Sequence, residues 1–89
     1  MKLLFEHGDH QIVVSRGIAS ADLVVDSYVC DTISGYINTQ LKSFELKGKA
    51  KNPDGSEDDV LVKLAFGFPY DTITCYYNGE LIGTQKSAL

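Results

Sequence analysis

Three stretches of the chain alternate apolar and polar residues with a period of two, the pattern of half-buried β-strands. Each also folds back on itself around turn-forming residues. Residues 2–15 pair about Gly8-Asp9, which sets His7 opposite His10, Phe5 opposite Ile12, Leu4 opposite Val13 and Leu3 opposite Val14. Glycine at the first central position is what a type II′ turn requires.

Residues 43–66 read as a second hairpin. Phe44, Leu46, Gly48 and Ala50 share one face of its first strand, and Val60, Val62, Leu64 and Phe66 one face of its second. Stacking the phenylalanines predicts Phe44 opposite Phe66, Leu46 opposite Leu64, Gly48 opposite Val62 and Ala50 opposite Val60. The connection would be Asn52-Pro53-Asp54-Gly55-Ser56-Glu57-Asp58, rich in turn formers. A third hairpin, 72–85, is centred on Asn78-Gly79, the strongest short hairpin signal. It places Tyr77 opposite Glu80, Tyr76 opposite Leu81, Cys75 opposite Ile82 and Ile73 opposite Thr84. Pro69 in the preceding link predicts a corner.

Between the first two hairpins the pattern changes. At 100° per residue, Val25, Val29, Cys30, Ile33, Tyr36, Ile37 and Leu41 fall within an arc of roughly 160°, with Ser27, Asp31, Ser34 and Asn38 opposite, as in a helix with one buried stripe. Ser20 or Asp26 would cap its start and Lys42 suits its negative end. Against it stand Asp22 and Asp26 on the apolar side and a high content of β-branched residues. The expected fold is therefore α+β: one domain over 1–89, an antiparallel sheet of three β-hairpins in the order β-β-α-β-β-β-β, with a helix at about 21–41 on one face. The alternative is all-β, with a further pair of strands in place of the helix. No internal sequence repeat and no linker is visible.

Composition narrows the functional classes more than it selects one. Eight basic residues against twelve acidic ones give a net charge of −4, which provides no general attraction to nucleic acid or anionic membranes. No apolar run reaches the length of a membrane span. The Met1-Lys2-Leu3-Leu4-Phe5-Glu6-His7 start turns polar too early for a secretory signal, so a cytoplasmic location is expected. Cys30 and Cys75 are too few for a metal framework or a disulfide scaffold, and both are expected reduced and buried.

Four constellations carry candidate chemistry. Glu6-His7-Gly8-Asp9-His10 brings two imidazoles to one turn, but a closed zinc site needs four ligands and no cysteine is near in sequence. Asp54, Glu57, Asp58 and Asp59 crowd one loop without the alternate spacing of a calcium loop. Lys47, Lys49 and Lys51 share the outer face of one strand, and the register above adds Lys63 opposite Lys47. Phe66, Phe68, Tyr70, Tyr76 and Tyr77 cannot all point into one core. Phosphate loops, zinc-ribbon cysteine pairs and HExxH motifs are missing from the sequence, and its two histidines sit together at a turn.

These features point away from an enzyme and predict no metal or cofactor. The expected function is a small protein-binding module, a regulator, inhibitor or immunity-type accessory protein that occupies a partner's surface. Tyr70, Tyr76 and Tyr77 are the candidate anchors, with Asp54, Glu57 and Asp58 supplying charge complementarity. The alternatives are an anion, nucleotide or nucleic-acid binder using Lys47, Lys49, Lys51 and Lys63, with nucleic acid disfavoured by the net charge, or a homo-oligomer assembling through sheet edges.

Overall fold

The computed structural model describes residues 2–17, 20–34, 43–67 and 70–87. Within them the chain forms eight strands: β1 (Lys2–His7), β2 (His10–Arg16), β3 (Ser20–Val25), β4 (Tyr28–Ser34), β5 (Ser43–Lys51), β6 (Glu57–Ala65), β7 (Asp71–Tyr77) and β8 (Glu80–Ser87). They make two four-stranded antiparallel sheets, ordered β1-β2-β3-β4 and β5-β6-β7-β8. The expected α+β class is thus corrected to all-β. Among the described residues there is no helix, and so none long and apolar enough to cross a membrane.

The segment read as a helix is the hairpin β3–β4, with residues 35–42, Lys42 included, outside the described residues. Its turn is Asp26-Ser27, both with positive φ (50° and 72°), the conformation of a type I′ turn. Ala21, Leu23 and Val25 alternate into the core, while Asp22 points outward between Ser15 and Thr32. Strand pairing therefore removes the buried acids that a helix would have imposed. Cys30 is an extra residue on β4, between the pairs Val24–Val29 and Leu23–Asp31. That β-bulge interrupts the alternation and hides the strand from a period-two reading.

The first hairpin has the expected register throughout, and of its two central residues only Gly8 has positive φ (58°). The second is shifted by two residues: Phe44 faces Leu64, Leu46 faces Val62, Gly48 faces Val60 and Ala50 faces Asp58. The loop is shorter than expected, 52–56, because it satisfies itself. The Asn52 N–H donates to the Ser56 carbonyl, the Gly55 N–H to the Asn52 carbonyl, and the Ser56 N–H and hydroxyl both to Asp54 Oδ1. Phe66 falls just beyond β6 and meets Phe44 edge-on, ring centroids 5.4 Å apart. The third hairpin keeps Tyr77–Glu80 and Tyr76–Leu81, then a bulge at Ile82 shifts the rest, so Cys75 faces Gly83 and Ile73 faces Gln85. The expected corner at Pro69, with Phe68, lies outside the described residues.

The sheets pack through one core, with Ile12, Val14 and Leu23 of the first fully buried against Leu46, Val62, Leu64, Ile73 and Cys75 of the second. β5 lies against β3 and β4, and β1 against β8. Cys75 is buried as expected, but Cys30 is exposed, and both thiols are free. Gly48 allows a close approach between the sheets, since a Cβ there would lie 2.8 Å from Cys30 Cβ and 3.2 Å from Leu23 Cδ2.

A repetition invisible in the sequence appears in the topology. Both sheets are four-stranded meanders whose last hairpin has a two-residue positive-φ turn and a one-residue bulge at the same place. The turns are also held alike. Asp26 exchanges bonds with the backbone of Gln11, and Asn78 does the same with Asp59, each side-chain oxygen accepting the N–H and each turn N–H donating to the carbonyl. The shared element is thus a polar residue in left-handed conformation that staples a turn to the adjacent strand.

Candidate functional site

The turns of the β1–β2, β3–β4, β5–β6 and β7–β8 hairpins gather at one end, and a chain of polar side chains joins the two sheets there. His10, at the start of β2, is half-buried between its own sheet and the 52–56 loop. Its Nδ1–H donates to Asp26 Oδ2 at 2.5 Å and its Nε2–H donates to Asn52 Oδ1 at 2.8 Å. The rest of the network fixes those roles. Asn52 Nδ2 donates to Ser56 Oγ and to Asp58 Oδ2, so only its oxygen remains for His10. With both ring nitrogens donating, His10 is an imidazolium, and its pKa is raised by the bonds to Asp26 and Asn52. Neither nitrogen retains a lone pair, which a general base needs.

Tyr77 caps this network from below. It is buried, its hydroxyl donates to Asp58 Oδ2 at 2.6 Å, and His7 stacks on its ring at 4.1 Å. That bond, with those from Asn52 and Asn78, lowers the Asp58 pKa to about 2. Burial and the same carboxylate push the phenol of Tyr77 well above its ordinary value. At Asp26, partial burial favours the neutral acid, but the bonds from Gln11 and His10 outweigh it and the pKa falls. Among the described residues no cluster of three or more His, Cys, Asp or Glu side chains is arranged to hold a metal ion.

The residues singled out from the sequence are scattered by the fold. Tyr77 and Asp58 meet each other in the turn-end network, Asp54 is engaged with Ser56, and Glu57 is exposed opposite Lys51. Tyr76 lies half-buried under the Lys63 ammonium, 5.2 Å from its ring centroid, and Tyr70 is exposed under that of Lys86 at 4.6 Å. Lys47, Lys49 and Lys51 do share the outer face of β5. The two-residue shift, however, sets Lys63 opposite Glu45 rather than Lys47, and Lys51 opposite Glu57, while Lys49 is ion-paired with Asp59. A stripe that read as like charges is largely neutralised across the strands, which weakens attraction for a polyanion.

Two features escaped the sequence reading. One is a groove of about 640 Å³ where β4 crosses β5, lined by Val25, Tyr28, Cys30, Gly48, Val60 and Leu61, with Lys47, Lys49, Lys51, Asp26 and Asp59 at its margin. The other lies on the outer face of the first sheet. Leu4, Val13, Val24 and Val29 are successive cross-strand partners and form one apolar row over all four strands. Val29 is 66 % exposed and Leu4 45 %. The period-two pattern of β1 and β2 already placed Leu4 beside Val13, but Val24 and Val29 join them only once β3–β4 is a hairpin.

Comparison with protein-family models, with curated proteins and with solved structures returned no match.

Proposed function

We propose that this chain is a non-catalytic protein-binding module whose contact surface is the outer face of the first sheet. One observation carries the reading. The row Leu4–Val13–Val24–Val29 is flanked by polar residues on either side, Lys2, Ser15, Asp22 and Thr32 in one direction and Glu6 and Gln11 in the other. At about 4.8 Å between strands the row is roughly 14 Å long. An apolar centre inside a polar rim is the anatomy of a protein interface, and an exposed apolar row is otherwise an aggregation hazard.

The anchors in this reading are Val29 and Leu4 rather than Tyr77, which the core and Asp58 occupy. The partner is a protein presenting apolar side chains, and the module acts by covering them. The reading assigns the chain to the cytoplasm, which the two free thiols suit.

The test is quantitative capture of a partner by the tagged chain in cells of its host. Leu4→Asp/Val29→Asp should reduce recovery at least tenfold with the thermal midpoint little changed. Thr84→Asp, on the second sheet, should leave recovery intact. Equal recovery by all three proteins would refute the assignment.

A further inference from the structure

At the turn end the two sheets meet on the ring of His10. On its own sheet, Asp26 is fixed by the Gln11 N–H. Across the gap, Asn52 is fixed by Ser56 and by Asp58 of β6. The ring lies between these two acceptors, 2.5 Å from Asp26 Oδ2 and 2.8 Å from Asn52 Oδ1. Beside it is a space of about 450 Å³. The charged groups facing that space are the carboxylates of Asp26 and Asp58, with Asp9 from the first turn and Lys51 from the end of β5. Its titratable ring neighbours are His7 of β1 and Tyr77 of β7, the latter with its centroid 6.0 Å from that of His10.

A neutral imidazole has one donor and one lone pair, and this site offers two acceptors. If Nδ1–H stays on the Asp26 carboxylate, the stronger partner, the Nε2 lone pair faces Asn52 Oδ1. If Nε2–H stays on Asn52, the Nδ1 lone pair faces Asp26 Oδ2. Reversing the Asn52 amide gives no relief. It would turn Oδ1 toward the Asp58 carboxylate, which is ionised above about pH 2, and toward Ser56 Oγ, whose proton is given to Asp54. Neither tautomer can therefore keep both bonds.

We propose that His10 is a proton-operated latch between the two sheets: the imidazolium ties the 52–56 loop to Asp26, and release of its Nε2 proton to solvent frees the loop from the first sheet. Asn52 stays on Asp58, and Asp26 stays on Gln11, so the break falls between the sheets. The loop keeps its internal bonds and moves as a unit. The bonds to Asp26 and Asn52 raise the His10 pKa, so the latch is closed below the ordinary imidazole value and opens as pH rises through the raised one.

The experiment is a pH titration of the ¹⁵N-labelled full chain by NMR. At low pH both ring nitrogens of His10 should carry protons. The backbone amide signals of Asn52, Gly55 and Ser56 should then shift with the same midpoint as the His10 ring. Asp26→Asn should lower that midpoint by about one pH unit or more. His10→Gln should abolish the loop's response, and His7→Gln should leave it in place. A His10 ring that titrates while the loop signals stay fixed would overturn the proposal, since Asn52 would then have accommodated the neutral ring. A loop response retained in His10→Gln, or a midpoint unmoved by Asp26→Asn, would overturn it as well. None of these substitutions touches the Leu4–Val29 row, so partner capture and the latch fail separately.

Discussion

Replacing Gly48 by alanine tests the crossing of β4 over β5, on which both the two-sheet architecture and the groove depend. In a strand interior, Gly→Ala ordinarily stabilises by about 0.5–1 kcal/mol, because glycine loses more backbone freedom on folding. Here the new Cβ would sit 2.8 Å from Cys30 Cβ, 3.0 Å from its Sγ and 3.2 Å from Leu23 Cδ2. Optimal carbon–carbon separation is about 3.5–4.0 Å, so the strands must part by roughly 1 Å, with Leu23 shifting as well. Overpacking of that kind costs about 1–3 kcal/mol, enough to reverse the sign of the propensity gain. The net expectation is destabilisation by about 1–2 kcal/mol, read as a lower urea midpoint at constant m-value. Cys30→Gly removes two of the three clashing atoms. In a double-mutant cycle, Gly48→Ala should therefore cost much less in that background, with a coupling of about 1 kcal/mol or more. Gly48→Ala as stable as the wild type, or additive effects in the cycle, would show that Cys30 does not lie over Gly48.

Further outcomes follow from the two ends of the sandwich and from the thiols. His10 has a raised pKa in the fold, so its contribution to stability is complete below its unfolded value and is lost as pH rises through the folded one. The wild-type midpoint should accordingly fall from pH 6 to pH 9 relative to His10→Gln, and parallel profiles would contradict the two-donor imidazolium. At the opposite end, Arg16 and Asp71 form a buried pair, with Nε and Nη2 at 3.0 and 2.9 Å from Asp71 Oδ2. Asp71→Asn should cost about 3 kcal/mol in denaturant titration, and a loss under about 1 kcal/mol would mean that the carboxylate is not what holds β7 to β2. Cys75 is wholly buried and its pKa is pushed up to about 11, so a thiol reagent should label Cys30 alone until the protein is unfolded. Two equivalents reacting together in the native state would contradict the packing.

How far the sequence specified this structure depended on which interactions hold each element. In the first hairpin the turn and the side-chain pairs agree, so register could be read directly from Gly8 and the matched apolar residues. In the second, a slip of two residues keeps every side chain on the same face, so alternation cannot detect it. The bonds among Asn52, Asp54 and Ser56 decide it, and with it the pairing of Lys63 with Glu45. The missed strands share another cause. Val25, Val29 and Ile33 are four apart, a spacing that suits one helix stripe. Asp26-Ser27 makes the turn that Asn78-Gly79 makes, but without glycine it gives no comparable signal. The bulge at Cys30 then removes the alternation. The row Leu4–Val13–Val24–Val29 and the groove beside Tyr28 both depend on that hairpin, so neither was legible in the sequence. Tyr77 is the converse case: an aromatic near a turn reads as an anchor, and in the fold its hydroxyl donates to Asp58 and its ring lies in the core.

The proposed contact surface is tested most directly by site-specific photocrosslinking in cells of the host. A photoreactive phenylalanine derivative is placed at Val29, on the apolar row, and in a second protein at Thr84, on the other sheet. The account predicts one discrete adduct of defined mass from position 29, lost when Leu4→Asp is added, and none from position 84. No adduct at position 29, or equal yields from both positions, would contradict it.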